Sequence, residues 1–311
     1  MALPGPVVSP SPETVTVPRG ERPGRQALAR IVRRYAGTWP ARLGWVLVGV
    51  VVLCAVFGPL VAPDPADASG ATHILSALQG PSASHPFGTN EVGQDVLTLV
   101  LFGARTSLSI AFGVTLAALF LGVIIGLVSG YYGGTLYSVL MGLTDVFLAL
   151  PALVLAITVA GLLGPGIWQL VVVLTLVWWP GNARLVAVEV QSIKTREYVE
   201  AARAIGANPW RVMLLHVLPA VTAPLLVKAS LDLGYVILTA AGLGFVGLGV
   251  QPPTPEWGAM VADSRQYMLE AWWYTFYPGL AIFIAVMGFS LVGDAIRDAL
   301  DPHLAHAVRR R

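Results

Sequence analysis

The chain has 311 residues, 56% of them hydrophobic and only 12% charged, with a formal net charge of +2 and a mean hydropathy of +0.72. A soluble domain carries about twice that share of charge, so the composition excludes one and points to an integral membrane protein with no nucleic-acid partner. The single cysteine, Cys54, excludes an intramolecular disulfide and any multi-cysteine metal centre, and reads as a small apolar filler.

In chain order, residues 1–40 are rich in Pro and Arg without periodicity, which reads as a disordered basic cytoplasmic tail. The apolar stretch begins too late in the chain for a cleavable signal peptide. Apolar runs follow near 41–61, 107–129, 135–163, 167–188, 220–250 and 274–291, each close to the roughly 20 residues that a 30 Å hydrocarbon core requires. The expected architecture is all-α, a polytopic bundle of six transmembrane helices within 41–300. Pro151, Pro180 and Pro224 fall inside these runs, where neighbouring helices can satisfy the freed backbone groups. The alternating segments of a transmembrane barrel are missing from the pattern.

Basic residues near span ends are retained in the cytoplasm. Arg19, Arg22, Arg25, Arg30, Arg33, Arg34 and Arg42 precede the first run, and Arg297 and Arg309 to Arg311 follow or close the last. Both termini, including a short tail at 301–311, are therefore expected inside. The segment 63–103 has Asp64, Asp67, Glu91 and Asp95 but no Lys or Arg, and is assigned outside with 251–273. The loop 190–219, with Lys194, Arg196, Arg203 and Arg211, falls inside.

That inner loop reads EYVEAARAIGANPWRVMLLHVLPA from Glu197. The pattern predicts a helix over 197–205, a left-handed Gly206 closing it, and a second helix opening at Pro209 with Asn208 as its cap. Tyr198, Ala201, Ala202 and Ile205 recur at helical spacing on one face, with Glu197, Glu200 and Arg203 turned elsewhere. Pattern alone leaves open both a connector resting on the membrane surface and a docking element.

Ionisable residues inside spans are costly and mark either internal pairs or a transport path. Lys228 and Asp232 stand at i and i+4 on the fifth run and can pair; Asp145 and Arg184, on the third and fourth, are interhelical partners or path-lining groups. Enzyme signatures are missing. The only lysines, Lys194 and Lys228, do not follow a Gly, so there is no phosphate loop, and neither H-E-x-x-H nor G-x-S-x-G occurs. No catalytic residue and no metal site are expected; His303 and His306 read as solvated. Outside, QPPTPEW at 251–257 is too rich in Pro for a regular helix. It precedes an aromatic belt of Tyr267, Trp272, Trp273 and Tyr274. Glu91, Glu256 and Trp257 are the candidates there for a landing site of an external protein.

EAARAIGANPWRVMLLHVLP resembles the EAA signature of permease subunits of bacterial ABC importers, matched at Glu200, Ala201, Ala202, Gly206, Leu218 and Pro219. His216 narrows the resemblance to the peptide and nickel subgroup. Three further blocks look like the C-type permease of dipeptide, oligopeptide and nickel systems: HPFGTNEVGQDVLTLVLFGARTSL at 85–108, TDVFLALPALVLAI at 144–157 and AGLGFVGLGVQPPTPEWGAMVADSRQYM at 241–268. Asn90, Gln94, Gly142 and Ser290 depart from that pattern, where Asp, Arg, Arg and Asn are usual or frequent. The resemblance implies the type I ABC importer permease fold in the bacterial inner membrane, as a subunit without catalysis of its own. Its implied partners are a second homologous permease, two cytoplasmic ABC ATPase subunits that hold ATP and Mg, and an external substrate-binding protein or lipoprotein. Glu197, Tyr198, Glu200, Ala201, Ala202, Arg203, Ile205, Gly206, Leu218 and Pro219 would then form the ATPase-coupling loop. Asp145, Arg184, Lys228 and Asp232 would be candidates for the translocation path. The implied cargo is a di- or oligopeptide, with a nickel chelate as the alternative. A stand-alone secondary transporter is the other class, although its internal inverted repeats are not evident.

Overall fold

The structure, a computed structural model, describes residues 38–300. Nearly all of the two tails, with their arginines and His303 and His306, lies outside the described residues. Within them the regular structure is helical, and pairing between extended segments is limited to an isolated bridge between Thr89 and Asp95. The helices are α1 (Trp39–Val61), α2 (Val96–Tyr132), α3 (Gly134–Ala149), α4 (Ala152–Leu163), α5 (Ile167–Ile193) and α6 (Glu197–Ala204). After them come α7 (Pro209–Val212), α8 (Leu218–Phe245), α9 (Trp257–Ser264) and α10 (Trp272–Leu300). A π turn, Met213–Val217, joins α7 to α8 without a break.

Five helical segments are long and apolar enough to cross a membrane: α1, α2, α5, α7 continued through α8, and α10. The third expected run is not one straight helix. It is split into α3 and α4, bent by 90° and making a sixth span only as a broken pair. Leu150 and Pro151 leave the helix with ψ of 134° and 121°. Pro151 has no N–H to donate, and its ring drives the residue before it toward extended conformation. Pro59, Pro180, Pro224 and Pro278 are absorbed inside their helices.

A second correction concerns α2, which starts at Val96 rather than near 107 and shortens the outer segment accordingly. The Asp95 side chain caps it, accepting from the Thr98 N–H at 2.7 Å. Thr98, Gly103, Arg105 and Thr106 dilute the hydropathy of its first turns. At 1.5 Å per residue the 37-residue helix is about 55 Å long, well beyond the roughly 30 Å core. It therefore projects at both ends, and these are called the inner and outer ends after the sides expected from the basic residues. The expected outer loop 251–273 is also partly ordered, since α9 lies inside it.

Lipid is as apolar as leucine, so helices in a membrane hold together by close packing rather than by the hydrophobic effect. The α2–α5 contact shows this. A Cβ added at Gly122, Gly126 or Gly130 would come within 2.5 to 2.8 Å of α5 atoms. This small-residue ridge at four-residue spacing lets the two backbones meet. Elsewhere in the bundle Leu108, Val114, Val173, Leu174, Val236 and Phe289 belong to the main core.

Candidate functional site

At the inner end, α6 opens with Glu197 and Glu200 in its first turn and closes with Arg203 in its last, so both ends of its dipole are complemented. Its turn is a Schellman motif: the Ala207 N–H bonds the Ala202 carbonyl at 3.2 Å and the Gly206 N–H the Arg203 carbonyl at 3.0 Å. Gly206 has φ of +81°, and a Cβ there would meet nothing within 4 Å. Glycine is demanded by backbone conformation alone. Asn208 then caps α7, its Oδ1 accepting from the Trp210 N–H at 3.0 Å, with Pro209 in the first turn.

The two faces of this loop differ sharply. Val199 and Ala202 are buried with Val190 and Ile193 of α5, Val212 of α7, Met213 and Val217 of the π turn, and Val221 and Leu225 of α8. Tyr198, Ala201, Ile205, Trp210, Leu214 and Leu215 are exposed, Ile205 at 86%. Ala202 was expected on the outward face with Tyr198, Ala201 and Ile205. Helical spacing puts it at that stripe's edge, and tertiary packing turns it inward. Arg203, expected to turn away from the apolar face, has its guanidinium 5.8 Å from the Tyr131 ring at the end of α2. Lys194 Nζ donates to the Gly130 carbonyl at 2.9 Å, binding the same helix end. Leu218 and Pro219 begin α8 directly after the π turn, in which the Leu218 N–H bonds the Met213 carbonyl five residues back. Pro219 has no N–H for an α-helical bond, and a wider turn accommodates it.

The four ionisable residues expected along the path resolve into two separate pairs. Arg184 on α5 donates to the Asp145 carboxylate on α3 and lies 3.4 Å from the Met141 carbonyl. Lys228 donates to Asp232 within α8. Asp232 is buried to 2% exposure and also faces Asn182 and Trp178 of α5. Asn182, fully buried, was missed from the sequence; an amide inside an otherwise apolar run, after Trp178, Trp179 and Pro180, was the available signal.

The outer region is built differently, from buried polar links. Asp67 accepts from the Asp95 N–H at 2.6 Å and from His73 at 3.0 Å; Asp95 in turn pairs with His85 at 3.1 Å. Asn90 and Gln94, the two family departures in this segment, bond each other through Asn90 Nδ2 and Gln94 Oε1 at 2.8 Å. Gln94 continues to the Ala71 carbonyl at 2.7 Å. Donor atoms of Asp64, Asp67 and His73 lie within 4.8 Å of one another, but Asp67 is taken up by Asp95 and His73 as described.

Two of the three candidates for a landing site are internal. Glu256 is 1% exposed, and its carboxylate caps α9, accepting from the Gly258 and Ala259 N–H groups at 2.9 Å and from Ser107 Oγ at 3.1 Å. Trp257 is 2% exposed and its indole N–H donates to the Val100 carbonyl at 3.0 Å. These residues fasten α9 to α2 and offer no surface. Glu91 stays partly exposed, lining a cavity of about 350 Å³ with Asp263 and Tyr274. Burial pushes the Glu256 carboxyl up from its ordinary value, against its three hydrogen-bond donors. It does the same to Asp263, reinforced by the charge of Glu91, and to Asp67, against the Asp95 N–H.

Residues 122–306 match the family model of the binding-protein-dependent transport system inner membrane component. The chain is 42% identical to the Di/tripeptide transport system permease protein of Pseudomonas aeruginosa, over 85% of this chain and 88% of that protein. It is 40% identical to the Dipeptide transport system permease protein of Alkalihalophilus pseudofirmus, over 85% and 86%. With the Nickel transport system permease protein of Escherichia coli K12 it shares 39% identity, over 86% and 95%. Among solved structures, the MetNI methionine ABC transporter in inward-facing conformations aligns at a TM-score of 0.47 and 20% identity, covering 65% of this chain and 97% of that one.

Proposed function

The chain belongs to the family of binding-protein-dependent transport system inner membrane components, and from that premise we propose that it forms half of an ATP-driven import path for short peptides, moved through its α6–α7 loop by a separate ATPase. It is a multi-pass membrane protein and a transport component. The observation that carries the proposal is the exposed apolar patch of Tyr198, Ala201, Ile205 and Trp210 on a hydrogen-bonded turn, backed by Val199 and Ala202. A water-facing loop gains nothing from such a patch unless a partner covers it. In this reading the loop is cytoplasmic, both termini lie on the same side, and ATP with Mg is bound by two partner chains. A second, homologous permease completes the path.

The geometry supports a lever. Force on Ile205 and Tyr198 passes through Val199 and Ala202 into the inner ends of α5 and α8, while Lys194 and Arg203 tie the loop to α2. Closure of the ATPase pair would tilt the bundle between inward- and outward-facing states, a two-state equilibrium biased by the partner. On the outer side, the exposed Ile74, Leu75 and Leu269 replace Glu256 and Trp257 as the surface for a binding protein. Asp145–Arg184 and Lys228–Asp232 would hold α3, α5 and α8 in register beside the path.

Ala201→Glu tests the proposal in the full importer. It places a charge on the outward face without touching the buried one. The ATPase should no longer co-purify and uptake should stop, while the permease remains in the membrane; normal uptake with full ATPase retention would reject it. Peptide cargo is favoured by the two peptide permeases among the relatives, and a nickel chelate by the third. Mass spectrometry of ligand released from the co-purified binding protein separates these. Uptake driven by a proton gradient without any ATPase would instead indicate a secondary transporter.

A further inference from the structure

We propose that the outer half of the bundle holds a lipid acyl chain in a groove between α1 and α10. Three glycines shape it. In the inner half α1 and α10 meet backbone to backbone: a Cβ at Gly44 would lie 2.7 Å from Leu291 Cβ, and one at Gly288 3.0 Å from Leu47 Cβ. Farther out α1 leans on α2 instead, with a Cβ at Gly58 only 3.0 Å from Leu101 Cβ. The helices α1 and α10 diverge, and a cavity of about 180 Å³ opens between them.

Its mouth is formed by Val50 and Cys54 on α1 and by Leu280 and Ala281 on α10; Ala104 and Trp257 lie at its floor. Phe87 stacks on Tyr277 at the wall, ring centroids 3.8 Å apart and planes within 4°. The Trp257 N–H is already given to Val100, so the floor presents no free donor. A polar ligand would be desolvated here without compensation.

The bilayer supplies the occupant. The neighbouring face of α1 is open to it, with Val46, Leu53 and Phe57 more than half exposed on a helix that meets the criteria for a span. The aromatic cluster of Trp272, Trp273 and Phe276 at the start of α10 marks the membrane boundary, which sets the groove just below it, in hydrocarbon. A cavity of 180 Å³ is far too small for another helix, about 10 Å across. It suits one segment of a single hydrocarbon chain. A chain seated there rests on Trp257, the first residue of α9, and on Phe87 of the outer segment, so lipid packing bears on the region where the binding protein is proposed to land.

The test uses the full importer in vesicles of palmitoyl-oleoyl phosphatidylethanolamine and phosphatidylglycerol doped with a phospholipid carrying a diazirine in its acyl chain. After illumination, peptides covering 50–54 and 280–284 should be labelled several-fold more than those around Leu143 and Val146, which are more open on α3 than Val50 and Leu280 are at the groove. Ala281→Phe fills the groove from its rim and should abolish that excess while leaving α3 labelling and the melting temperature unchanged. If that variant fails to assemble, Val50→Phe at the exposed mouth gives the same reading. Even labelling over all membrane-facing helices would overturn the proposal. So would an excess that survives both substitutions, or one seen only before the second permease is added. The readout does not depend on transport, so its failure is distinct from failure of the importer reading.

Discussion

The two ends of α2 solve opposite problems. At the inner end the loop of α6 and α7 keeps a thin buried face, Val199 and Ala202, and turns Tyr198, Ile205 and Trp210 outward. At the outer end the polar groups go inside: Asp67, Asp95, Asn90 and Glu256 are all at most 3% exposed and hydrogen-bonded to backbone or to one another. A buried carboxylate with its partners in place is costly to disturb, because losing one side strands the other. An exposed apolar residue on a loop costs its own fold almost nothing. The inner end is thus free to be a contact, while the outer end is a brace. Residues that look alike in sequence, a Glu beside an aromatic in each case, have opposite roles.

The comparison is tested hardest at Glu256. Glu256→Ala removes the α9 cap and leaves Ser107 without its acceptor, which should cost about 3 kcal/mol, a cap of about 1 and an unsatisfied buried group of 1 to 3. Thermal unfolding of the purified complex measures it. A melting point equal to wild type, with loss of binding-protein crosslinking, would return Glu256 to the surface role. Glu256→Gln adds a pH signature. The folded pKa lies above the ordinary 4.5, so the folded chain binds more proton than the unfolded one. Its contribution is complete below that value and declines as pH rises through the raised one. The Gln variant should lack that decline.

Gly206→Val comes next. A β-branched residue at φ of +81° costs roughly 1 to 3 kcal/mol of local strain, and the absence of any neighbour within 4 Å confines the damage to the turn. Membrane insertion should persist while uptake and substrate-stimulated ATP hydrolysis fall together. Wild-type stimulation in this variant would mean that the turn does not transmit.

These residues also show where sequence was legible. The α6–Gly206–α7 turn follows from capping chemistry over a dozen neighbouring residues, and its predicted elements are found within a residue of their observed bounds. The membrane class and helix count rest on composition, and the family resemblance is met by the matching model over 122–306. What escaped was tertiary. The Glu256 contact with Ser107 spans 149 residues, and nothing near Glu256 announces it. Helical spacing groups Ala202 with Ala201 but does not say which edge of the stripe packs inward. Pro151 looked like Pro180 or Pro224 in the sequence, and only the backbone shows that it breaks its span.

The smallest cost to the fold belongs to Ile205→Asp, and it separates the two ends most cleanly. Ile205 is 86% exposed, and surface substitutions without buried partners stay within about 0.5 kcal/mol. If the inner end were a second brace, such a change would pass unnoticed in every assay. If it is a contact, the new carboxylate must be buried unpaired against the ATPase, a penalty of a different order from the methyl groups it replaces. The expected result is an unchanged melting curve for the isolated permease pair together with loss of ATPase association, read by co-purification and by uptake in vesicles. An unchanged association would place Ile205 outside the contact and leave it to Tyr198, Ala201 and Trp210, the other exposed residues of the patch.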